Sequence, residues 1–138
     1  TERIARKLAI PVGQRTVFLR RLISHGEQAV LLHREHVIYD PARPIIEAEM
    51  QVTALSGLFS GGATSDLKRG DLTISATKLT EEEAALLRCE PGLPAFRLEH
   101  IFFDFSDRAV SWGWFICAGD RLRFTATIGV PAQETNSR

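Results

Sequence analysis

Two residues in this chain interrupt strand faces that are otherwise apolar, and both can do chemistry. Alternation through residues 15–23 puts Val17, Leu19, Arg21 and Ile23 on one face and Phe18, Arg20 and Leu22 on the other. In residues 93–103 the matching face is Phe96, Leu98, His100 and Phe102. A charged or titratable group on such a face must be paired, reach water along its stem, or line a pocket, because an isolated buried charge costs on the order of several kcal/mol. The forked donors of Arg21 suit a carboxylate or phosphate, with a structural ion pair as the alternative. His100 is read first as a hydrogen-bonded core histidine and second as a ligand contact.

The partner strands add candidates. Leu31, His33, Glu35 and Val37 share one face, and Ser111, Gly113, Phe115 and Cys117 share another. His33 and Glu35 are placed to touch a ligand, although an exposed polar strand face is the commoner source of that pattern. Ser111 adjoins Trp112-Gly113-Trp114, where small residues let a ligand approach the backbone; the two tryptophans read as core or interface. His33-Arg34-Glu35-His36 lacks the spacing of a zinc signature, so neither a metal nor a cofactor is expected. GxSxG, Walker, HExxH and GxGxxG motifs are missing, and no catalytic residue is assigned. Glu81, Glu82 and Glu83 open a helix, where the macrodipole accounts for them, and Asp104, Asp107 and Asp120 fall at turns.

The elements that must position these residues come in a repeated order. Residues 2–9 have helical spacing and stop at Pro11-Val12-Gly13; residues 15–23 and 29–39 then form a hairpin across a polar turn. Later, Thr80 and Glu83 make a capping box ahead of Ala84, Leu86 and Leu87, and the helix stops at Pro91-Gly92. Residues 93–103 and 109–117 form the second hairpin. Laying Ala5 on Ala84 matches Leu8 with Leu87, Gly13 with Gly92, Leu19 with Leu98 and Arg21 with His100. One inserted loop residue then aligns Ala29-Val30 with Ala109-Val110. Between the units, residues 41–44 read as a loop, 45–59 as a helix, 63–70 as a polar loop and 72–79 as a strand, and residues 121–130 read as the last strand. Hairpins joined by helices, without a βαβ rhythm, imply one α+β domain over residues 1–138, with a mainly antiparallel sheet and flanking helices.

Composition narrows the function. The 138 residues carry 17 Lys plus Arg against 17 Asp plus Glu, and 44% are hydrophobic. That is a globular balance with no basic excess for nucleic acid. Cys89 and Cys117 have no CxxC spacing and read as reduced, which fits the cytoplasm. No apolar run approaches the roughly 20 residues that span a bilayer, so no membrane partner is expected. The start at Thr1, already in a helix-like stretch, is read as the edge of a fragment with a further part upstream.

These pieces resemble the UTRA domain, the effector-sensing module of HutC-type regulators in the GntR superfamily, which has a chorismate-lyase-like fold. The resemblance rests on the Ala5/Leu8 helix before Pro11-Val12-Gly13, Leu19-Arg20-Arg21, Leu55-Ser56-Gly57-Leu58, Glu82-Glu83-Ala84-Ala85-Leu86-Leu87 before Pro91-Gly92-Leu93-Pro94, and Gly119-Asp120-Arg121-Leu122-Arg123-Phe124. It implies a cytoplasmic transcription factor, not an enzyme, with a winged helix-turn-helix reader upstream that would make the DNA contacts, and a homodimer formed through this domain. In sugar-phosphate-sensing members two arginines hold the phosphate; Arg21 falls on the first position and Ile23 on the second. The family's polar pocket positions fall on His33, Ser56, Ser111 and Cys117, where sugar-binding members often have Glu, Ser, Glu and Tyr. The expected ligand set is therefore Arg20, Arg21, His33, Glu35, Ser56, His100, Ser111 and Cys117. The expected effector is a small anionic metabolite from among carboxylates, amino acids and sugar phosphates. A ligand-free dimerisation module and a chorismate-lyase-type enzyme are the alternatives, the second because the fold is shared.

Overall fold

A computed structural model describes residues 1–40 and 67–129. Helix α1 (Glu2–Leu8) leads into strands β1 (Thr16–His25) and β2 (Gln28–Ile38); β3 (Leu67–Lys78) and helix α2 (Glu81–Leu87) follow, and β4 (Pro94–Asp104) and β5 (Ala109–Ala118) complete the set. The five strands make one sheet in the order β1-β2-β5-β4-β3, with every neighbouring pair antiparallel. No helix among the described residues is long and apolar enough to cross a membrane.

The repeated order is built into the backbone. Each helix runs for seven residues and ends on a left-handed residue, Ala9 at φ 52 and Arg88 at φ 55, whose N–H turns back onto the last helical carbonyls. Gly13 and Gly92, equivalent in the alignment, both take positive φ, 96 and 80, a conformation that costs a side-chain-bearing residue energy. Ala5, Leu8, Ala84 and Leu87 are all buried. Within the hairpins, Arg21 lies opposite His33 and His100 lies opposite Gly113, which are the same pairs under the alignment. The two hairpins meet through β2 and β5. Arg34, which aligns with Trp114, is also its cross-strand partner, and His33↔Phe115 exchanges with Glu35↔Gly113 on either side. A local two-fold axis therefore passes between Arg34 and Trp114.

Both helices cover the same side of the sheet. Ala84 and Leu87 of α2 pack with Ala29, Leu32, Ile116 and Ala118. From α1, Lys7 donates a hydrogen bond to Glu99 at 2.9 Å, and Arg3 sits over the Trp112 ring. Trp112 is buried and Trp114 half-buried on this side, the core position expected of them. The capping box at α2 is complete: the Glu83 N–H donates to Thr80 Oγ1 at 3.2 Å and the Thr80 N–H to Glu83 Oε1 at 3.0 Å. On the opposite side Leu31, Leu98, Phe115 and Cys117 form a second apolar cluster, with Leu122 packed against it.

Two expectations are corrected. Strand β3 begins at Leu67 rather than at residue 72, because Arg69, Gly70 and Asp71 find ladder partners in Phe103, Phe102 and Ile101. Residues 122–128 carry β-forming side chains but take no strand pairing. Their hold on the domain comes from side chains instead. The Arg121 guanidinium donates at 2.6 Å to the carbonyls of both Ala29 and Leu87, and Phe124 meets Phe96 edge-on. The loop expected at 41–44, the helix at 45–59 and the first half of the loop at 63–70 lie outside the described residues.

Candidate functional site

On the side of the sheet that neither described helix covers, register sets the candidate residues in rows. One row runs Arg21–His33–Phe115–Leu98 and the next Leu19–Glu35–Gly113–His100. Ser111 lies in the row beyond, opposite Val37 and Phe102. Cys117 lies in the row on the other flank, opposite Leu31 and Phe96.

Four of the polar side chains link into a chain. The Arg21 guanidinium reaches His33 Nδ1 with Nη2 at 3.0 Å and Nε at 3.3 Å. A guanidinium can only donate, so Nδ1 accepts and the ring proton sits on Nε2. From there it points to Glu35 Oε2 at 3.0 Å. The same oxygen takes His100 Nε2 at 2.5 Å. The His33 ring stacks on Phe115 with centroids 4.4 Å apart.

Burial rather than exposure explains these polar residues. His33 is 3% exposed, Glu35 0%, His100 2% and Ser111 0%, so the exposed polar strand face first considered for His33 and Glu35 is overturned. Burial holds His33 below the usual imidazole range, outweighing the upward pull of Glu35, and the Arg21 and His100 charges add to the lowering. For Glu35 burial works upward, but the hydrogen bonds and charges of His100 and His33 outweigh it and keep the carboxyl below its ordinary value. Arg21 and Glu35 thus carry opposite charges at neutral pH, joined through a neutral imidazole. Two atoms are left over: Glu35 Oε1 and His100 Nδ1 are buried with no hydrogen-bond partner. A buried polar atom without a partner forfeits its hydration, at roughly 1–3 kcal/mol, and points to a donor, a ligand or an ion that belongs there.

Gly113 makes the arrangement possible. A Cβ at this position would collide with the Glu35 carboxylate and the Arg34 carbonyl. A small residue between two tryptophans was legible in the sequence but its cross-strand partner was not; the signal was a glycine in the middle of a strand, between Trp112 and Trp114.

The remaining candidates do not join this chain. Arg20 points to the helix side, where it is mostly exposed and makes a 3.4 Å ion pair with Glu82, because successive strand residues face opposite ways. His36 faces the same side, stacked on Trp112. Cys117 is sealed in the apolar cluster, and burial pushes its thiol up to about 11, so it stays protonated and unreactive at neutral pH. Ser56 lies outside the described residues. A separate cleft of roughly 600 Å³ opens beside the end of α1, lined by Leu8, Ile10, Ile38, Tyr39, Phe103 and Arg108 among others, and none of the seven described candidates lines it.

Comparison with known proteins was made on this footing. The family model described as the UTRA domain matches residues 1–123. Among solved structures, the chain resembles the ligand-binding domain of a protein from Bordetella bronchiseptica assigned to the GntR family of transcriptional regulators, with TM-score 0.72 and 21% identity over 94% of this chain and 81% of that one. It also resembles the C-terminal domain of the histidine utilization repressor from Pseudomonas syringae pv. tomato, with TM-score 0.72 and 18% identity over 91% and 87% of the two chains. PhnF from Mycobacterium smegmatis matches at TM-score 0.72 and 25% identity over 94% of this chain and 57% of that one. No curated protein matches the sequence.

Proposed function

Because the chain belongs to the UTRA domain family, a family of regulatory ligand-binding domains, we propose that it senses a small anionic metabolite on the side of its sheet opposite the two described helices, around Arg21, His33, Glu35 and His100. The observation that carries this reading is a buried polar chain, in an apolar face, that ends in two unpartnered atoms, Glu35 Oε1 and His100 Nδ1. Hydrogen bonding there is incomplete, and a ligand with both an acidic and a donor group would complete it. The guanidinium of Arg21 supplies the anion contact, and the carboxylate of Glu35 favours a ligand that also carries a hydroxyl, amide or ammonium. Ser111, buried one row away, and Ser56 are proposed as further ligand contacts. Ligand binding would favour one geometry of a homodimer over another and so change the spacing of DNA readers lying upstream of Thr1, which requires different affinity for the two geometries.

The test is a calorimetric screen of carboxylates, amino acids and sugar phosphates in buffer containing a chelator. The expected result is a binder whose affinity falls by at least about tenfold in Arg21→Ala, the loss of one charge-assisted hydrogen bond. A binder that ignores Arg21→Ala in a folded chain but is lost in Tyr39→Ala places the ligand in the cleft beside α1. Absence of any ligand that raises the melting temperature favours the purely structural dimerisation module. Release of 4-hydroxybenzoate from chorismate would overturn the sensor in favour of an enzyme.

A further inference from the structure

His33, Glu35 and His100 are the group of metal-ligating side chains that converges among the described residues, with donor atoms within 4.8 Å of one another. Two imidazoles and a carboxylate, all buried, are a donor set that zinc and its neighbours in the first transition row accept, with a fourth position left open. We propose that these three residues bind a divalent transition ion of the zinc class. This rests on the same reading of the face opposite the two described helices as the ligand side, but it needs no organic effector.

Geometry supports it from three directions. His33 and Glu35 stand two apart on β2, and His100 comes from β4 across Gly113, so all three project from neighbouring positions of a rigid sheet. Ligand atoms around a tetrahedral zinc lie about 3.4 Å apart, given metal–ligand bonds of about 2.1 Å. The Nε2–Oε2 separations are 3.0 and 2.5 Å and all three donors lie within 4.8 Å of one another, so the two carboxylate edges open by under about 1 Å and the remaining edge draws in to admit the ion. Both histidines currently converge on the single oxygen Oε2, and Oε1 is left without a partner. An ion between the rings would remove that crowding and give the carboxylate a second contact.

Arg21 supplies the distinguishing consequence. With Nε2 on a metal, His33 must carry its proton on Nδ1, which now accepts from the guanidinium. Ion binding therefore turns Arg21 away from His33. A divalent ion would also offset the Glu35 carboxylate, and its fourth position would suit an anion.

The experiment uses the chain freed of any purification tag and stripped with chelator, titrated with Zn²⁺ alone and, separately, with Co²⁺ alone. The expected result is one ion per chain, with the visible absorption of four-coordinate cobalt and a rise in melting temperature. His100→Ala and Glu35→Gln should each weaken zinc by at least about a hundredfold, beyond what losing a supporting contact does. Arg21→Ala should bind more tightly, since it removes a positive charge and the donor that holds His33 Nδ1 unprotonated; a merely structural role for Arg21 would not produce that result. Circular dichroism establishes folding, and His100→Gln replaces His100→Ala if the smaller side chain unfolds the chain. No stoichiometric binding by the native chain, or zinc held equally well by folded His100 and Glu35 variants, overturns the proposal. Because the organic screen contains chelator and the metal titration contains no organic ligand, failure of one is readable apart from failure of the other.

Discussion

Gly113 is the residue on which the polar site depends most, although it contributes no chemistry. The Glu35 carboxylate occupies the volume its side chain would need, and the Arg34 carbonyl bounds the same space. Backbone cannot swing away as the tip of a long side chain can, so Gly113→Ala must displace the carboxylate or spread β2 from β5. Overpacking of this kind costs about 1–3 kcal/mol. We expect Gly113→Ala to lower the urea midpoint by that equivalent and to weaken any ligand or ion held through Glu35; an unchanged midpoint would contradict the packing described for this row. Glu35 itself was legible as a polar residue facing the right way. Its burial was not, since one strand's alternation cannot say whether a face meets water or another layer.

At the scale of elements, strands β1, β2, β4 and β5 and both helices were readable, because alternation, capping residues and turn glycines act locally. Thr80 and Glu83 are a clear instance: their spacing announced a reciprocal cap, and both hydrogen bonds are present. Thr80→Ala should cost about 1 kcal/mol, while Glu81→Ala, without a part in the box, should shift thermal unfolding less; equal effects would mean that helix charge rather than the cap sets the start of α2. The extent of β3 was not readable, because Lys68 to Asp71 looks like a polar loop until β4 supplies backbone partners. The tail failed in the reverse sense. Residues 122–128 have strand-like side chains, but pairing depends on a free neighbouring edge, and Arg121 instead fastens the tail to the carbonyls at the end of α2. The helix-side placement of Arg20 followed directly from alternation, yet its adjacency to Arg21 in Leu19-Arg20-Arg21 drew it into the expected site.

The whole molecule should be acid-sensitive. His33 and His36 are held below the ordinary imidazole value of 6.5, chiefly by burial, and Glu35 is held below the ordinary carboxyl value of 4.5 by its histidine partners against the upward effect of burial. Every one of these groups binds protons more weakly folded than unfolded, so stability falls as pH falls. The histidine contribution is lost first, from about 6.5 downward, and the Glu35 contribution follows below about 4.5. Urea midpoints measured between pH 8 and 4 should therefore decline in two stages, and a midpoint that rises between pH 7 and 5 would refute the assignment of a neutral buried His33.

The axis between Arg34 and Trp114 bears on how such a site arises. In a symmetric pair of separate hairpins, every residue beside the axis occurs twice. A second histidine would then stand where Gly113 sits, and a second carboxylate where Phe115 sits, doubling the buried charge in a space that holds one. Joining both copies in a single polypeptide removes that constraint: one half can drift to glycine and phenylalanine while the other retains histidine and glutamate. Gene fusion would thus have been the precondition for this chemistry, and relatives should differ most in which half carries the polar residues.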